Sequence, residues 1–258
     1  LCDPNRVRCE AAAGHIDGGP TCYDSLEDML AQAELDALVI TSPDHCHEEH
    51  ALAALASGLH VLIDKPLATT AAACRRIMQA GVQSDRVVKM GFNLRHDPTL
   101  RRLKDIVRAG TLGEVFLIEN REFYDGGKTY MSRWNRLYEC SGGLWVHKGA
   151  HDFDVFNWLL GHARPVRVSA TAGISALRED KLPFEVDSDI PPGPACSVCA
   201  YRERCPDADS RDEKNSPMWG ETAQAQDGYR RDLCIYLSEK DVHDNGIAIV
   251  EYENGARA

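Results

Sequence analysis

Asp36-Ala-Leu-Val-Ile-Thr-Ser-Pro-Asp-His-Cys-His47 joins a short apolar run to a cluster of polar and turn-forming residues. An unbroken apolar run of this length, without alternation, predicts a parallel strand buried on both faces. Working outward, Glu48 to Ser57 is alanine-rich and reads as a helix that Gly58 closes as its C′ residue. Leu59 to Ile63 reads as the next strand, Thr70 to Ala80 as the next helix, and Val87 to Gly91 as a third strand. On the N-terminal side, Ser25 to Ala33 is a helix with Ser25 as N-cap and Asp28 completing an acidic capping box. Strand and helix alternating at this period predict a parallel sheet wound with helices.

The pattern changes near residue 112. Leu112 to Phe123 reads as one long strand, and Val166 to Ile174 as another that alternates Val166, Val168, Ala170 and Ala172. A helix from Val146 to Leu160, ended by Gly161, lies between them. Long strands with one covered face predict a second, mainly antiparallel domain over 112–258, following an α/β domain over 1–111. Within it, residues 178–234 form a polar, cysteine-bearing insertion around Pro191-Pro-Gly-Pro194, too poor in apolar residues to build its own core. The chain opens on Leu1-Cys2-Asp3-Pro4 and closes on Asn254-Gly255-Ala-Arg-Ala258. Asn-Gly after the apolar Ile247, Ile249 and Tyr252 is a hairpin signal, so the sequence reads as an internal fragment of a longer protein.

The chain has 258 residues, enough for one or two domains of about 150 residues each. Lys and Arg number 29 against 40 Asp and Glu, and the net charge of −11 disfavours nucleic acid and anionic membranes as partners. No apolar run approaches the roughly 18 residues that cross a bilayer, and a cytoplasmic location is expected.

In an open parallel sheet, ligands bind beyond the carboxyl ends of the strands. Three such ends carry polar clusters here: Thr41-Ser-Pro-Asp-His-Cys-His47, Asp64-Lys65-Pro66, and Gly91-Phe-Asn-Leu-Arg-His-Asp-Pro98. Alone, Pro43 could simply break a strand and Lys65 could be a solvated loop lysine; three clusters at one edge point to a site. A second constellation follows Gly142-Gly143, where His147 and His151 stand four apart, with Lys148 between them and Asp154 three beyond His151. A zinc pair would suit that spacing, but the intervening Glu of a metalloprotease motif is missing, and acid–base work fits better than metal binding or a structural pair.

These motifs resemble the Gfo/Idh/MocA family of NAD(P)-dependent oxidoreductases: Thr41-Ser-Pro with His47, Asp64-Lys65-Pro66, Phe92 to Pro98, Gly113-Glu114-Val115, Ser141-Gly-Gly-Leu144 and His151-Asp-Phe-Asp154. The resemblance implies an incomplete Rossmann-type sheet, without its first strand and Gly-rich loop, followed by an antiparallel open-sheet domain. It implies NAD or NADP as cofactor, lined by Asp3, Thr41, Pro43, His47, Asp64, Lys65, Pro66, Asn93 and Arg95. Asp3 would bond the adenosine ribose and favour NAD, unless Arg6 or Arg8 accommodates a 2′-phosphate. Lys65, before a cis proline, would hydrogen-bond the reacting hydroxyl, and His151 would be the catalytic histidine. Many relatives carry Asp where this chain has His147, so His147 or Lys148 could share in proton transfer. The implied reaction is hydride transfer from a sugar, polyol or related cyclic alcohol, in a dimer or tetramer. Alternatives are a glycosidase or epimerase using transient oxidation, or a nucleotide-binding sensor without catalysis. The fragment by itself is expected to bind NAD weakly and to be inactive.

Of ten cysteines, Cys196, Cys199 and Cys205 cluster within the insertion. With Cys234 as fourth ligand they predict one structural zinc that organises a segment lacking an apolar core. Reduced thiols or an iron–sulfur cluster are the competing readings.

Overall fold

The structure, a computed structural model, describes residues 1–125, 128–161, 163–209 and 216–258. Its first half is a parallel sheet of β1 (Ala37–Ile40), β2 (His60–Ile63) and β3 (Val88–Met90), in that order. Ile40 pairs with Ile63 and Ile63 with Met90, so the three strands end at one edge. Two crossover helices connect them, α3 (His47–Ala56) and α4 (Ala71–Gln83). Ala51, Ala54 and Leu55 of α3 and Ala73 and Ile77 of α4 bury Ile40, Val61 and Ile63 in one core. Only that face is covered among the described residues. Val39 is 61% exposed and Leu62 40% on the other, so the expectation of strands buried on both faces is corrected.

Helix ends follow their capping residues. Ser25 Oγ accepts the Asp28 N–H at the start of the helix Leu26–Gln32, and Thr70 Oγ1 accepts the Ala73 N–H at the start of α4. Gly58 adopts φ +76° just beyond α3. Before β1, a helix over Arg6–Ala13 follows a single parallel bridge between Cys2 and Tyr23.

The second half departs from expectation in two places. Leu112 to Phe123 does not form a strand. Its contact with a neighbouring extended segment is the parallel bridge Leu117–Arg257, and Phe123 is 95% exposed. A strand exists through its ladder, and side-chain pattern alone does not supply one. The helix expected over Val146 to Leu160 is two helices, Leu144–His147 and Ala150–Leu159. The Gly149 N–H bonds the Leu144 carbonyl at 2.8 Å, five residues back, so the ladder slips between them. The strand over 166–174 does form, as β4 (Pro165–Gly173), paired antiparallel with β5 (Asn245–Tyr252). The longer helix seats Phe156 against Val250, Tyr252 and Ala256. The Asn254-Gly255 hairpin also forms: Gly255 takes φ +84°, and Ala256 to Ala258 turn back along β5 through two Val250–Ala258 hydrogen bonds.

The insertion has some apolar support after all. Leu182 and Cys234 pack against the buried cluster of Met131, Ile235, Tyr236 and Val242, while Phe184 stacks on Tyr201 at 4.8 Å. Its helix Glu221–Asp227 docks on the first half, where Asn5 Nδ2 donates to the Ala223 carbonyl at 2.8 Å and Arg8 pairs with Asp227. Residues 210–215 of the insertion lie outside the described residues.

The two halves meet closely at Gly142. It sits at φ +69°, and a Cβ there would lie 2.9 Å from the Thr69 carbonyl oxygen. Gly142→Ala should therefore cost about 1–3 kcal/mol, read as a lowered urea midpoint at unchanged slope. A loss under about 0.5 kcal/mol, the range of a neutral surface change, would contradict this packing.

Candidate active site

The carboxyl edge of the parallel sheet faces the loop and helix pair around His147. Lys65, two residues past β2 and in a cis bond to Pro66, extends across this junction. Its Nζ donates to the His147 carbonyl at 2.8 Å and lies 3.4 Å from His147 Nε2. The other ring nitrogen, Nδ1, is 2.6 Å from Asp44 Oδ2, and Asn135 Nδ2 is 3.1 Å from Nε2. An amide nitrogen can only donate, so Nε2 accepts from Asn135 and Nδ1 carries the proton given to Asp44. Tyr130 and Trp134 meet the same ring edge-on, at 5.1 and 5.5 Å. Asp44, from the loop after β1, thus holds an imidazole of the second half, which in turn positions Lys65.

Burial pushes the Lys65 ammonium below the ordinary lysine range, with nearby Lys148 adding to the shift and the Asp44 and Asp64 charges opposing it. His151 is buried, and its Nδ1 has no hydrogen-bond partner. Burial, then the Lys65 and Lys148 charges, lower its basicity, so it stands neutral. Phe92, at the end of the third strand's loop, lies 6.1 Å from its ring. This is a neutral base beside a cation, in a site largely withdrawn from water.

Other sequence candidates are placed differently. Lys148 is held by Glu122 at 2.7 Å and lies over the Tyr124 ring; burial opposes its charge, but Glu122 outweighs that and the net shift is upward. Its ammonium is thus held in place by Glu122. His47 is buried, with Nδ1 2.7 Å from the Pro66 carbonyl and Nε2 2.9 Å from the Ser42 carbonyl. A neutral ring donates to one of these carbonyls only, and the two contacts seat the ring between the loops after β1 and β2. Arg95 Nε and Nη2 donate to Asp154 at 2.8 and 2.7 Å. The side chain of Asp154 is only 7% exposed, so this pair clamps the two halves. Thr41, Asp64 and Asn93 are exposed at the strand ends, Pro43 is partly exposed and Pro66 is buried. The Asp64 carboxylate accepts the Lys65 N–H at 2.9 Å, and Asp3 accepts the Asn5 N–H at 2.7 Å. Asp44 and Asn135 were not anticipated; Asp44 sits within a quoted cluster, whereas nothing local marks Asn135.

A nicotinamide cofactor fits this donor set. The buried, unpartnered nitrogen of His151, the Lys65 amine and the exposed ends of β1 to β3 converge at the edge where such folds bind nucleotides.

A Rossmann-type parallel half is thus joined to an antiparallel half, with Lys65 and His147 meeting at their seam. Residues 1–92 match the oxidoreductase family model with an NAD-binding Rossmann fold, and residues 100–258 match the GFO/IDH/MocA C-terminal domain. The chain belongs to the Gfo/Idh/MocA family. Similar proteins include YteT of Bacillus subtilis (strain 168), named as an oxidoreductase, 30% identical over 90% of this chain and 56% of its own length. Inositol 2-dehydrogenase 2 of Saccharopolyspora erythraea is 32% identical over 62% of this chain and 44% of its own. The chain thus spans about half the length of these relatives. Among solved structures, the WlbA dehydrogenase from Bordetella pertussis, in complex with NADH and UDP-GlcNAcA, superposes with TM-score 0.65 at 22% identity, over 99% of this chain and 56% of that one. Myo-inositol 2-dehydrogenase from Lactobacillus plantarum gives 0.65 at 19%, over 100% and 59%. These likenesses bear on the fold. No helix among the described residues is long and apolar enough to cross a membrane.

Proposed function

We propose that the protein oxidises a secondary alcohol of a sugar, polyol or related cyclic substrate, with NAD(H) as its redox partner. The observation that carries this is the half-buried Lys65 amine held against His147, with the unpartnered Nδ1 of buried His151 at the same seam. Bound nicotinamide supplies the hydride acceptor. Lys65, fixed through one N–H to the His147 carbonyl, has further N–H groups to hold the substrate oxygen and stabilise charge developing on it. His151 is the base, taking the hydroxyl proton at Nδ1. Asp44 and Asn135 act through His147 as positioning residues. Relatives named inositol 2-dehydrogenase support the substrate class. NAD over NADP is favoured because Arg6 is paired with Glu10 and Asp24, and Arg8 with Asp227, leaving neither free for a 2′-phosphate. The division near residue 111 and assembly through the exposed β4–β5 face that carries Ile247 and Ile249, paired with Thr171 and Ser169, belong to the same reading.

Full-length protein supplied with NAD and a panel of inositols and sugars should accumulate reduced nicotinamide. Tightly held cofactor without net reduction would favour transient oxidation instead, and NAD binding with no turnover on any substrate would favour a sensor.

The Asp44 charge raises Lys65 while burial lowers it. Asp44→Asn retains an acceptor for the His147 N–H but removes that charge, so Lys65 should lose its proton at lower pH. The alkaline limb of kcat should move to lower pH in this variant. An unmoved limb would separate Asp44 from Lys65.

A further inference from the structure

The Cys-rich insertion carries chemistry that alcohol oxidation does not use. Cys196, Cys199, Cys205 and Cys234 come from two segments far apart in sequence, yet all four line one cavity of about 20 Å³. A space of roughly 10–15 Å³ already holds one water-sized occupant. Phe184, Tyr236, Ala208 and Arg202 line the same cavity. The two segments are brought together by an antiparallel bridge between Ala195 and Leu233. The Cys196 N–H bonds the Asp232 carbonyl and the Cys234 N–H the Pro194 carbonyl, each at 2.8 Å, which sets Cys196 beside Cys234. A tight turn over Cys196–Val198 then returns the chain so that Cys199 follows on the same side. Gly193 lets its strand lie against that turn: a Cβ there would be 2.9 Å from both Cys199 Cα and the Val198 carbonyl oxygen.

Backbone amides already point at the sulfur atoms. The Asp209 N–H lies 3.4 Å from Cys196 Sγ, and the Asp207 amide bonds the sulfur of Cys205. Cys234 is near enough to Cys196 and Cys205, and Cys199 to Cys205, for their charges to interact. All four cysteines are free of disulfides. Among the described residues no group of three or more His, Cys, Asp or Glu is already arranged to hold a metal ion, and holding one here requires the four sulfurs to draw together.

We infer that these four cysteines bind one divalent zinc-type cation as a closed structural site. Binding releases the thiol protons to solvent and forms four metal–sulfur bonds, with no redox step and no coordination position left for substrate. The ion would lock the 193–208 loop to the segment around Cys234, and through Tyr236 to the core under Met131. That knot lies away from Lys65 and His151, so its failure and the failure of the dehydrogenase reading are separate outcomes.

The test is metal analysis of full-length protein purified under reducing conditions without chelator. About one zinc per chain is expected for a four-thiolate site. Cys199→Ser should lose it, while Cys140→Ser, at a half-buried thiol outside the cluster, should retain it. Should Cys199→Ser fail to fold, replacing zinc by Co²⁺ in the unaltered protein gives a second reading: intense sulfur-to-cobalt absorption with tetrahedral visible bands is expected. Zinc-free protein whose four cluster thiols react freely in the native state would overturn the inference. A brown protein with iron and labile sulfide would overturn it as well.

Discussion

Lys65→Ala should lower kcat by about 10²–10³, the usual loss when one donor to a developing oxyanion is removed. The methyl side chain takes away the N–H groups that hold the substrate oxygen, while the fold around the residue keeps its other supports. Asp44 and Asn135 still grip the His147 ring, and His47 still ties the Ser42 and Pro66 carbonyls. Affinity for NAD should accordingly change much less than turnover, which steady-state kinetics and direct cofactor titration would separate. Equal turnover in wild type and variant would remove Lys65 from the chemistry.

The second large effect concerns stability. Arg95→Leu leaves the Asp154 carboxylate, only 7% exposed, without its two guanidinium hydrogen bonds. Breaking one side of a buried pair costs about 3–5 kcal/mol, because the remaining charge stays desolvated. Arg95 is itself one-third exposed, which puts the expected loss at the lower end, about 3 kcal/mol. Its contacts with Phe92 and Trp158 add to the seam, as does Lys104, whose ammonium caps the Trp158 carbonyl at the end of the helix Ala150–Leu159. Urea denaturation should show the loss. Arg95→Leu,Asp154→Leu together should recover part of it, since no buried charge is then left alone. An unchanged midpoint in the single variant would mean that the halves are held elsewhere.

Much of the first half was legible because local rules decided it. The apolar run at Ala37 to Ile40, the Ser25 and Thr70 caps and Gly58 each point to one local structure, and the structure adopts it. Lys65, His147 and His151 were found as residue types at strand ends or helical spacing. Their contacts were not. That Arg95 is committed to Asp154, and that Asp44 reaches the His147 ring, depend on how two domains dock across separations of 59 and 103 residues. Nothing in either local pattern encodes that. The 112–123 run failed for a related reason: its alternation describes two faces, but a strand needs a partner, and partner choice is non-local. The slipped helix at Gly149 shows the converse, since an intact 3.6-residue pattern did not mark a one-residue register change.

Proton transfer to a neutral His151 while a cationic Lys65 holds the oxygen, as proposed, should be visible in the pH profile of kcat/KM. His151 is depressed by burial and by two lysine charges, so activity should rise through an acid limb below about 6.5, the ordinary histidine value. Lys65 is depressed by burial, so activity should fall through an alkaline limb below about 10.4, the ordinary lysine value. The account predicts this bell in the wild type and the absence of the alkaline limb in Lys65→Ala. Identical profiles in the two proteins, or limbs at the unperturbed values, would contradict it.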